Sequence, residues 1–124
     1  MSYDIWLESG AEDADMDCPG NYTYNVDPMF ALALDGDAEQ GVQNGGEVVF
    51  HRKDPALRRF VGERAGDCYV ALCDAVEHME DHPTTYRALN PENGWGDYEG
   101  ALTYLRDFRD ACLRFPDARV EAWL

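Results

Sequence analysis

The residues best suited to hold a ligand fall in two segments that combine aromatic rings with side-chain amides. The first is Asn21-Tyr22-Thr23-Tyr24-Asn25, and the second covers residues 90–98. Aromatic faces and amide groups together can hold a planar, polar or nucleotide-like ligand. Each segment is predicted to be a loop that precedes a helix start, where backbone N–H groups have no helical partner. We therefore predict a binding surface made by Asn21, Tyr22, Tyr24, Asn25, Asn93, Trp95, Asp97 and Tyr98.

A purely structural role is the alternative interpretation of the same residues. Trp95 would then cover the core, its flanking glycines would permit a tight turn, and the asparagines would bond the loop backbone. A simple anion is disfavoured as a ligand because Asp97 and Glu99 occupy the same turn. The sequence leaves the ligand-binding and structural interpretations open.

Catalytic patterns are not recognisable in the chain. The two serines, Ser2 and Ser9, do not lie in a nucleophile elbow, and neither a P-loop nor a dinucleotide fingerprint is present. With 25 acidic residues, close carboxylate pairs arise by chance and single out no acid–base couple. We therefore favour binding over catalysis, and predict no catalytic residue and no cofactor.

His78 and His82 are spaced four residues apart, which can place two imidazoles on one metal ion. However, His82 lies at a predicted helix end, where the helix dipole favours a cation without any metal. A third strong ligand is not apparent, so we predict no metal site. An enzyme acting through this pair or through carboxylates ranks third among our hypotheses.

The cysteines offer no zinc pattern. Cys18, Cys68, Cys73 and Cys112 form no CxxC pair, and we expect them to be reduced. Cys73 and Cys112 are predicted to be small core residues.

The charge is strongly negative, at −15, and is concentrated at the start of the chain. Residues 1–50 contain eleven acids and no lysine or arginine. Such a surface repels nucleic acids and anionic membranes, so we expect neither as a direct partner. Two interpretations remain open. The acidity serves solubility or a salty interior, or it mimics a nucleic-acid backbone in an inhibitor of a host protein.

Apolar periodicity indicates the elements that must position these residues. Tyr3, Ile5 and Leu7 alternate with polar neighbours and predict an opening strand, and the alternation over residues 118–124 predicts a closing strand. Between them, helices are predicted after Asp27-Pro28 and Asp54-Pro55, over residues 64–82, over 84–89, and from Asp97 to Phe115.

Strands at both ends with helices between them indicate an α+β fold. We predict a small sheet that pairs the N- and C-terminal strands and packs against three to four helices on one face. The chain, residues 1–124, is predicted to be one compact domain with acidic loops at about 9–20 and 35–47. A further short strand is predicted over residues 47–51. The absence of a signal-peptide pattern and of a long apolar stretch predicts a cytoplasmic protein.

The two segments also carry a resemblance, which rests on Tyr3-Asp4-Ile5-Trp6-Leu7-Glu8, Asn21-Tyr22-Thr23-Tyr24-Asn25-Val26 with Pro28-Met29, Tyr86-Arg87-Ala88-Leu89-Asn90-Pro91-Glu92-Asn93-Gly94-Trp95-Gly96-Asp97-Tyr98-Glu99-Gly100-Ala101-Leu102, and Phe115-Pro116-Asp117-Ala118. In these residues the chain resembles a group of small proteins of unknown function from actinobacteria and their phages. Residues 36–54 do not share the resemblance. It implies no catalytic residues. A phage origin would imply an accessory role directed at the host, including interference with a defence system, with a small polar ligand or a host protein as the partner.

Overall fold

The computed structural model describes residues 2–8, 19–35, 55–92, 94 and 96–123. The strand predicted over residues 47–51 and most of the two predicted acidic loops lie outside these ranges.

The sheet has three antiparallel strands, β1 (Ser2–Glu8), β2 (Gly20–Thr23) and β3 (Arg119–Trp123), in the order β2-β1-β3. The N-terminal strand therefore lies in the centre and pairs with the C-terminal strand, which confirms the predicted α+β fold. In the register, Asp4 lies opposite Asn21 on β2 and opposite Trp123 on β3. Alternation decides which side chains enter the core: Ile5 and Leu7 are fully buried, whereas Asp4 and Glu8 are exposed.

The edge of β3 that faces away from β1 is hydrogen-bonded by residues 62–65, which lead into the helices. The N–H of Gly62 donates to the carbonyl of Val120, and the N–H of Ala65 donates to the carbonyl of Ala118, each over 2.7 Å. Because these bonds satisfy backbone groups of an edge strand, β3 is held from both sides.

Four α-helices occupy the described part of the chain: α1 (Asp27–Asp35), α2 (Ala65–Asp81), α3 (Pro83–Arg87) and α4 (Tyr98–Arg114). Two 3₁₀ helices, Tyr24–Val26 and Ala56–Phe60, precede α1 and α2. Within the described ranges, no helix combines the length and the apolar character needed to cross a bilayer.

The core lies between the sheet and the helices, chiefly α2 and α4. These two helices are antiparallel, since Gly66 at the start of α2 donates to Pro116 beyond the end of α4, while Met79 near the end of α2 accepts from Tyr98 at the start of α4. From the sheet, Tyr22 packs its ring on Phe30 of α1 and Tyr104 of α4, with centroids 5.2 and 4.9 Å away. The helices therefore cover the inner face of the sheet, as predicted.

One local prediction was wrong, and another feature was not foreseen. Residues 21–25 were expected to be a loop, but Asn21 to Thr23 belong to β2, because pairing with β1 extends this short segment. The predicted helix start at Asp27-Pro28 is confirmed, and Asp27 makes a further contact. It is buried in the first turn, and its Oδ1 accepts a 2.9 Å hydrogen bond from the backbone N–H of Ala56. This contact ties the start of α1 to the start of the second 3₁₀ helix.

Candidate functional site

The first predicted segment begins on the outer face of the sheet. Asn21 is exposed, and its Nδ2 donates to the carbonyl of Tyr3 over 3.2 Å and to Oδ1 of Asp4 over 3.1 Å. The amide is thereby fixed on the strand next to it, and it orients the Asp4 carboxylate.

Tyr22, by contrast, faces the core. Its side chain is 5% exposed and lies among the rings of Tyr3, Phe30 and Tyr104. Tilted and edge-to-face ring packing of this kind stabilises a core. Tyr22 is therefore a core residue that holds the first segment in place, and its ring is not exposed to a ligand.

The end of the first segment is a short turn held by its own side chains. Asn25 donates from its backbone N–H over 3.3 Å and from its Nδ2 over 2.9 Å, in both cases to Oγ1 of Thr23. Val26 follows and is buried. The side chain of Tyr24 lies outside the described part of the structure.

The second predicted segment leads into α4 through a well-formed N-terminus. The Oδ1 of Asp97 accepts a 2.7 Å hydrogen bond from the N–H of Gly100, which makes Asp97 the predicted N-cap of α4. The Oδ1 of Asn90 accepts a 2.8 Å bond from the N–H of Tyr98. Two of the free donors of this helix end are thus used within the protein. Asn93 and Trp95 lie outside the described residues.

Tyr98 also belongs to the core. Its side chain is 4% exposed, its hydroxyl donates to the carbonyl of Met79 over 2.6 Å, and its ring stacks on that of Tyr86 with centroids 6.0 Å apart. The guanidinium of Arg87 lies 5.3 Å from the centroid of the same ring and forms an ion pair with Glu99. Tyr98, like Tyr22, positions the predicted surface from below.

Gly96 brings the two segments together. Its φ is +99°, and a Cβ built on it would lie 2.7 Å from Cγ1 of Val26 and 2.8 Å from Cγ2 of Thr23. These distances are shorter than any real carbon contact, so the backbone of the second segment rests directly on the turn of the first. We call the surface formed here by Asn21, Asn25, Gly96 and Asp97 the junction patch.

The junction patch offers mainly hydrogen-bond acceptors. Within the described residues, the Nδ2 of Asn21 donates two hydrogen bonds and the Nδ2 of Asn25 donates one. The patch therefore presents two amide oxygens, one N–H of Asn25 and the carboxylate of Asp97. These groups match a partner that carries hydrogen-bond donors and positive charge. The strongly negative net charge acts in the same direction, against phosphate-bearing ligands.

His78 and His82 lie side by side, but each is engaged within the protein. Their rings stack with centroids 4.3 Å apart, Nδ1 of His78 lies 2.6 Å from the hydroxyl of Tyr86, and Nδ1 of His82 lies 2.9 Å from the carbonyl of His78. Burial raises the pKa of Tyr86 well above its usual value, so this hydroxyl keeps its proton. Among the described residues, no group of three or more His, Cys, Asp or Glu side chains is placed to hold a metal ion.

The described cysteines, Cys68, Cys73 and Cys112, are free thiols. Cys112 is buried, as predicted, whereas Cys73 is only half-buried and Cys68 belongs to the core. Burial raises the pKa of the Cys68 thiol to about 11, with smaller contributions from Glu63 and Asp67. A thiol with so high a pKa is a poor nucleophile at neutral pH.

Two tryptophans on the outer face of the sheet were missed as candidate site residues. Trp123 is 77% exposed, and Trp6 is half-buried on the neighbouring strand. The signal was present in the sequence, since strand alternation places both rings on the side opposite Ile5 and Val120.

Comparison with known proteins gives no relative for this arrangement. No protein-family model matches the chain, and no curated protein and no solved structure matches it either.

Proposed function

We propose that this protein is a non-enzymatic binding protein that recognises a donor-bearing, positively charged region of a partner protein through the junction patch. The proposal rests on the close contact of Gly96 with Thr23 and Val26. This contact brings together two polar segments that are far apart in the sequence. Loops that are held in this way on rigid elements are common sites of recognition.

The chemistry of the patch supports a protein partner over a nucleotide-like ligand. Tyr22 and Tyr98 are used in the core and are not available for stacking. The groups that remain at the surface are the acceptors of Asn21, Asn25 and Asp97, and a phosphate would meet both these oxygens and the overall negative charge. Arginine and lysine side chains carry the complementary donors.

We include Tyr24, Asn93 and Trp95 in the proposed surface because they belong to the same two segments of the sequence. A tryptophan between two glycines, next to the junction patch in the chain, is the residue type that most often dominates a protein interface. The resemblance to small proteins of actinobacteria and their phages favours a host protein as the partner, and an accessory or defence-directed role as the purpose.

Affinity capture with matched variants tests this function. Tagged wild-type protein, Trp95→Ala and Leu113→Ala are immobilised and exposed to the same actinobacterial extract, after circular dichroism has shown that all three are folded. Leu113 is the control because it is an exposed apolar side chain, at 60%, on α4. We expect wild type and Leu113→Ala to retain one specific protein equally, and Trp95→Ala to retain at least about ten-fold less. Equal retention by Trp95→Ala would overturn the proposal.

A further inference from the structure

The outer face of the sheet carries an alternating arrangement of carboxylates and indole rings. On β1 the outward residues are Asp4, Trp6 and Glu8, and on β3 they are Trp123, Glu121 and Arg119. Their register places Asp4 opposite Trp123 and Trp6 opposite Glu121.

Each indole on this face therefore has acidic neighbours in two directions. Trp6 is flanked by Asp4 and Glu8 along its own strand and by Glu121 across the strand pair, and Trp123 is flanked by Glu121 along its strand and by Asp4 across. Residues opposite one another on antiparallel strands lie about 5 Å apart, and outward residues on one strand follow about 7 Å apart. A ring and a carboxylate are thus within reach of a single guanidinium group.

Exposure distinguishes this face from the core side of the same strands. Trp123 is 77% exposed, Asp4 and Glu8 are exposed, and Trp6 and Glu121 are half-buried. A tryptophan this exposed at the surface marks a contact site when it forms part of a patch with matching polar groups. Here the carboxylates indicate that a partner bound to this face would carry positive charge.

Charge complementarity selects the occupant. The two strands place three carboxylates and the guanidinium of Arg119 on this face. Arg64 lies opposite Arg119 at the edge, but its guanidinium is paired with Asp67 and Asp117. The face is therefore negative, in a chain whose net charge is −15. Arginine stacks flat on an indole and bonds a carboxylate at the same time, which lysine does not do as well. We infer that the outer face of the sheet is a docking surface for an extended, arginine-bearing segment of a partner protein. This inference goes beyond the function proposed for the junction patch, with which the outer face shares Asn21.

An extended partner segment fits the spacing of the face. Alternate side chains of an extended chain repeat at about 7 Å, the same distance that separates Asp4, Trp6 and Glu8 along β1. Asn21 adds order to this surface, because its Nδ2 bonds Oδ1 of Asp4 over 3.1 Å and holds the carboxylate beside Trp123.

Titration with defined peptides tests the inference. The probe is a synthetic peptide of about eight residues in which arginine and serine alternate, so that its length matches the face. Versions with lysine or glutamate in place of arginine serve as comparisons. The readout is the set of three indole N–H resonances in ¹H–¹⁵N spectra of the whole protein, which contains three tryptophans. Each resonance is assigned with a tryptophan-to-phenylalanine variant.

The expected result is specific to Trp6 and Trp123. Their indole resonances shift saturably with the arginine peptide, whose affinity exceeds that of the lysine peptide by about three- to ten-fold. Trp123→Ala weakens binding by at least about ten-fold, whereas the folded Leu113→Ala control binds like wild type. Glu121→Gln removes one carboxylate without removing a ring, and it also weakens binding.

Three results would overturn the inference: shifts confined to Trp95, equal affinity of Trp123→Ala and wild type, or equal binding of the glutamate peptide. The two proposals fail independently. If Trp95→Ala no longer retains the captured partner but still binds the peptide, the partner and the peptide bind at different surfaces. If peptide binding is absent while Trp95→Ala still abolishes capture, only the inference about the sheet face is lost.

Discussion

The hydroxyl of Tyr98 donates a 2.6 Å hydrogen bond to the backbone carbonyl oxygen of Met79. Met79 lies in the last turn of α2, where an ideal helix would bring the N–H of residue 83 to that carbonyl. Residue 83 is a proline and has no N–H. Tyr98 therefore supplies the donor that Pro83 lacks, and it ties the start of α4 to the end of α2.

Removing this hydroxyl should cost stability with little change in packing. Tyr98→Phe leaves the ring in place and leaves the carbonyl of Met79 without its phenol partner, so we expect the free energy of unfolding to fall by about 1–2 kcal/mol. Urea denaturation measures it. The matched control is Tyr104→Phe, whose hydroxyl bonds the carbonyl of Gly20 over 2.7 Å in a less buried place. A Tyr98→Phe variant no less stable than wild type would contradict the role given to this bond.

The contact at Gly96 predicts a large difference between two glycines of the same loop. Gly94 and Gly96 both have positive φ, at +77° and +99°, but a Cβ at Gly94 would meet nothing within 4 Å. Gly94→Ala should therefore cost only the backbone strain, about 1 kcal/mol. Gly96→Ala adds overpacking against Val26 and Thr23, and should cost about 2–4 kcal/mol. Thermal and chemical denaturation of both variants check this, and equal losses would mean that the two segments are not in contact at Gly96.

If Asp97 acts as the N-cap of α4, serine should be able to replace it and alanine should not. Asp97→Ala removes the acceptor for the N–H of Gly100 and should lower the free energy of unfolding by about 1 kcal/mol. Serine also caps helices, so Asp97→Ser should recover most of that loss. Denaturation curves of the two variants provide the comparison. If serine and alanine were equally destabilising, the carboxylate would contribute through its charge and not through the cap.

The buried thiol of Cys68 predicts a loss of stability at alkaline pH. Its pKa is raised from 9.0 to about 11 in the folded protein, so the folded chain holds a proton that the unfolded chain releases between these values. The stabilisation is complete below pH 9 and is lost as the pH rises toward 11. Tyr86, whose pKa burial also raises, acts in the same direction at still higher pH.

The free energy of unfolding measured at intervals across this range tests the alkaline prediction. Cys68→Ala should flatten the decline in its lower part, just above pH 9. Tyr86→Phe should leave that lower part unchanged. A decline that is the same in Cys68→Ala and in wild type would show that other groups cause it.

The terminal strands and α4 could be predicted from sequence because their signals are local. Alternation at Ile5, Leu7 and Val120 and the three- and four-residue spacing that leads to Cys112 depend only on which face meets the core. The cap at Asp97 has a similarly local cause. Pairing of the two chain ends followed from the order of the elements.

The short strand β2 and the burial of Tyr22 and Tyr98 were harder to predict because they depend on distant residues. Gly20 to Thr23 become a strand through pairing with β1 and show no alternation long enough to identify. The rings enter the core because Phe30, Tyr104 and Met79 lie beneath them, and no sequence period gives these contacts. The approach of Gly96 to Val26 is likewise a tertiary contact. The sequence indicated the two segments, and only the fold places them side by side.

Photo-crosslinking from position 95 tests the central claim, that the protein binds a partner at the junction patch. Benzoylphenylalanine replaces Trp95 in one variant and Leu113 in another, and both are irradiated in the same actinobacterial extract. We predict one specific protein adduct from position 95, reduced by added salt and by excess wild-type protein, and none from position 113. The absence of any adduct at position 95, or the same adducts from both positions, would contradict the account.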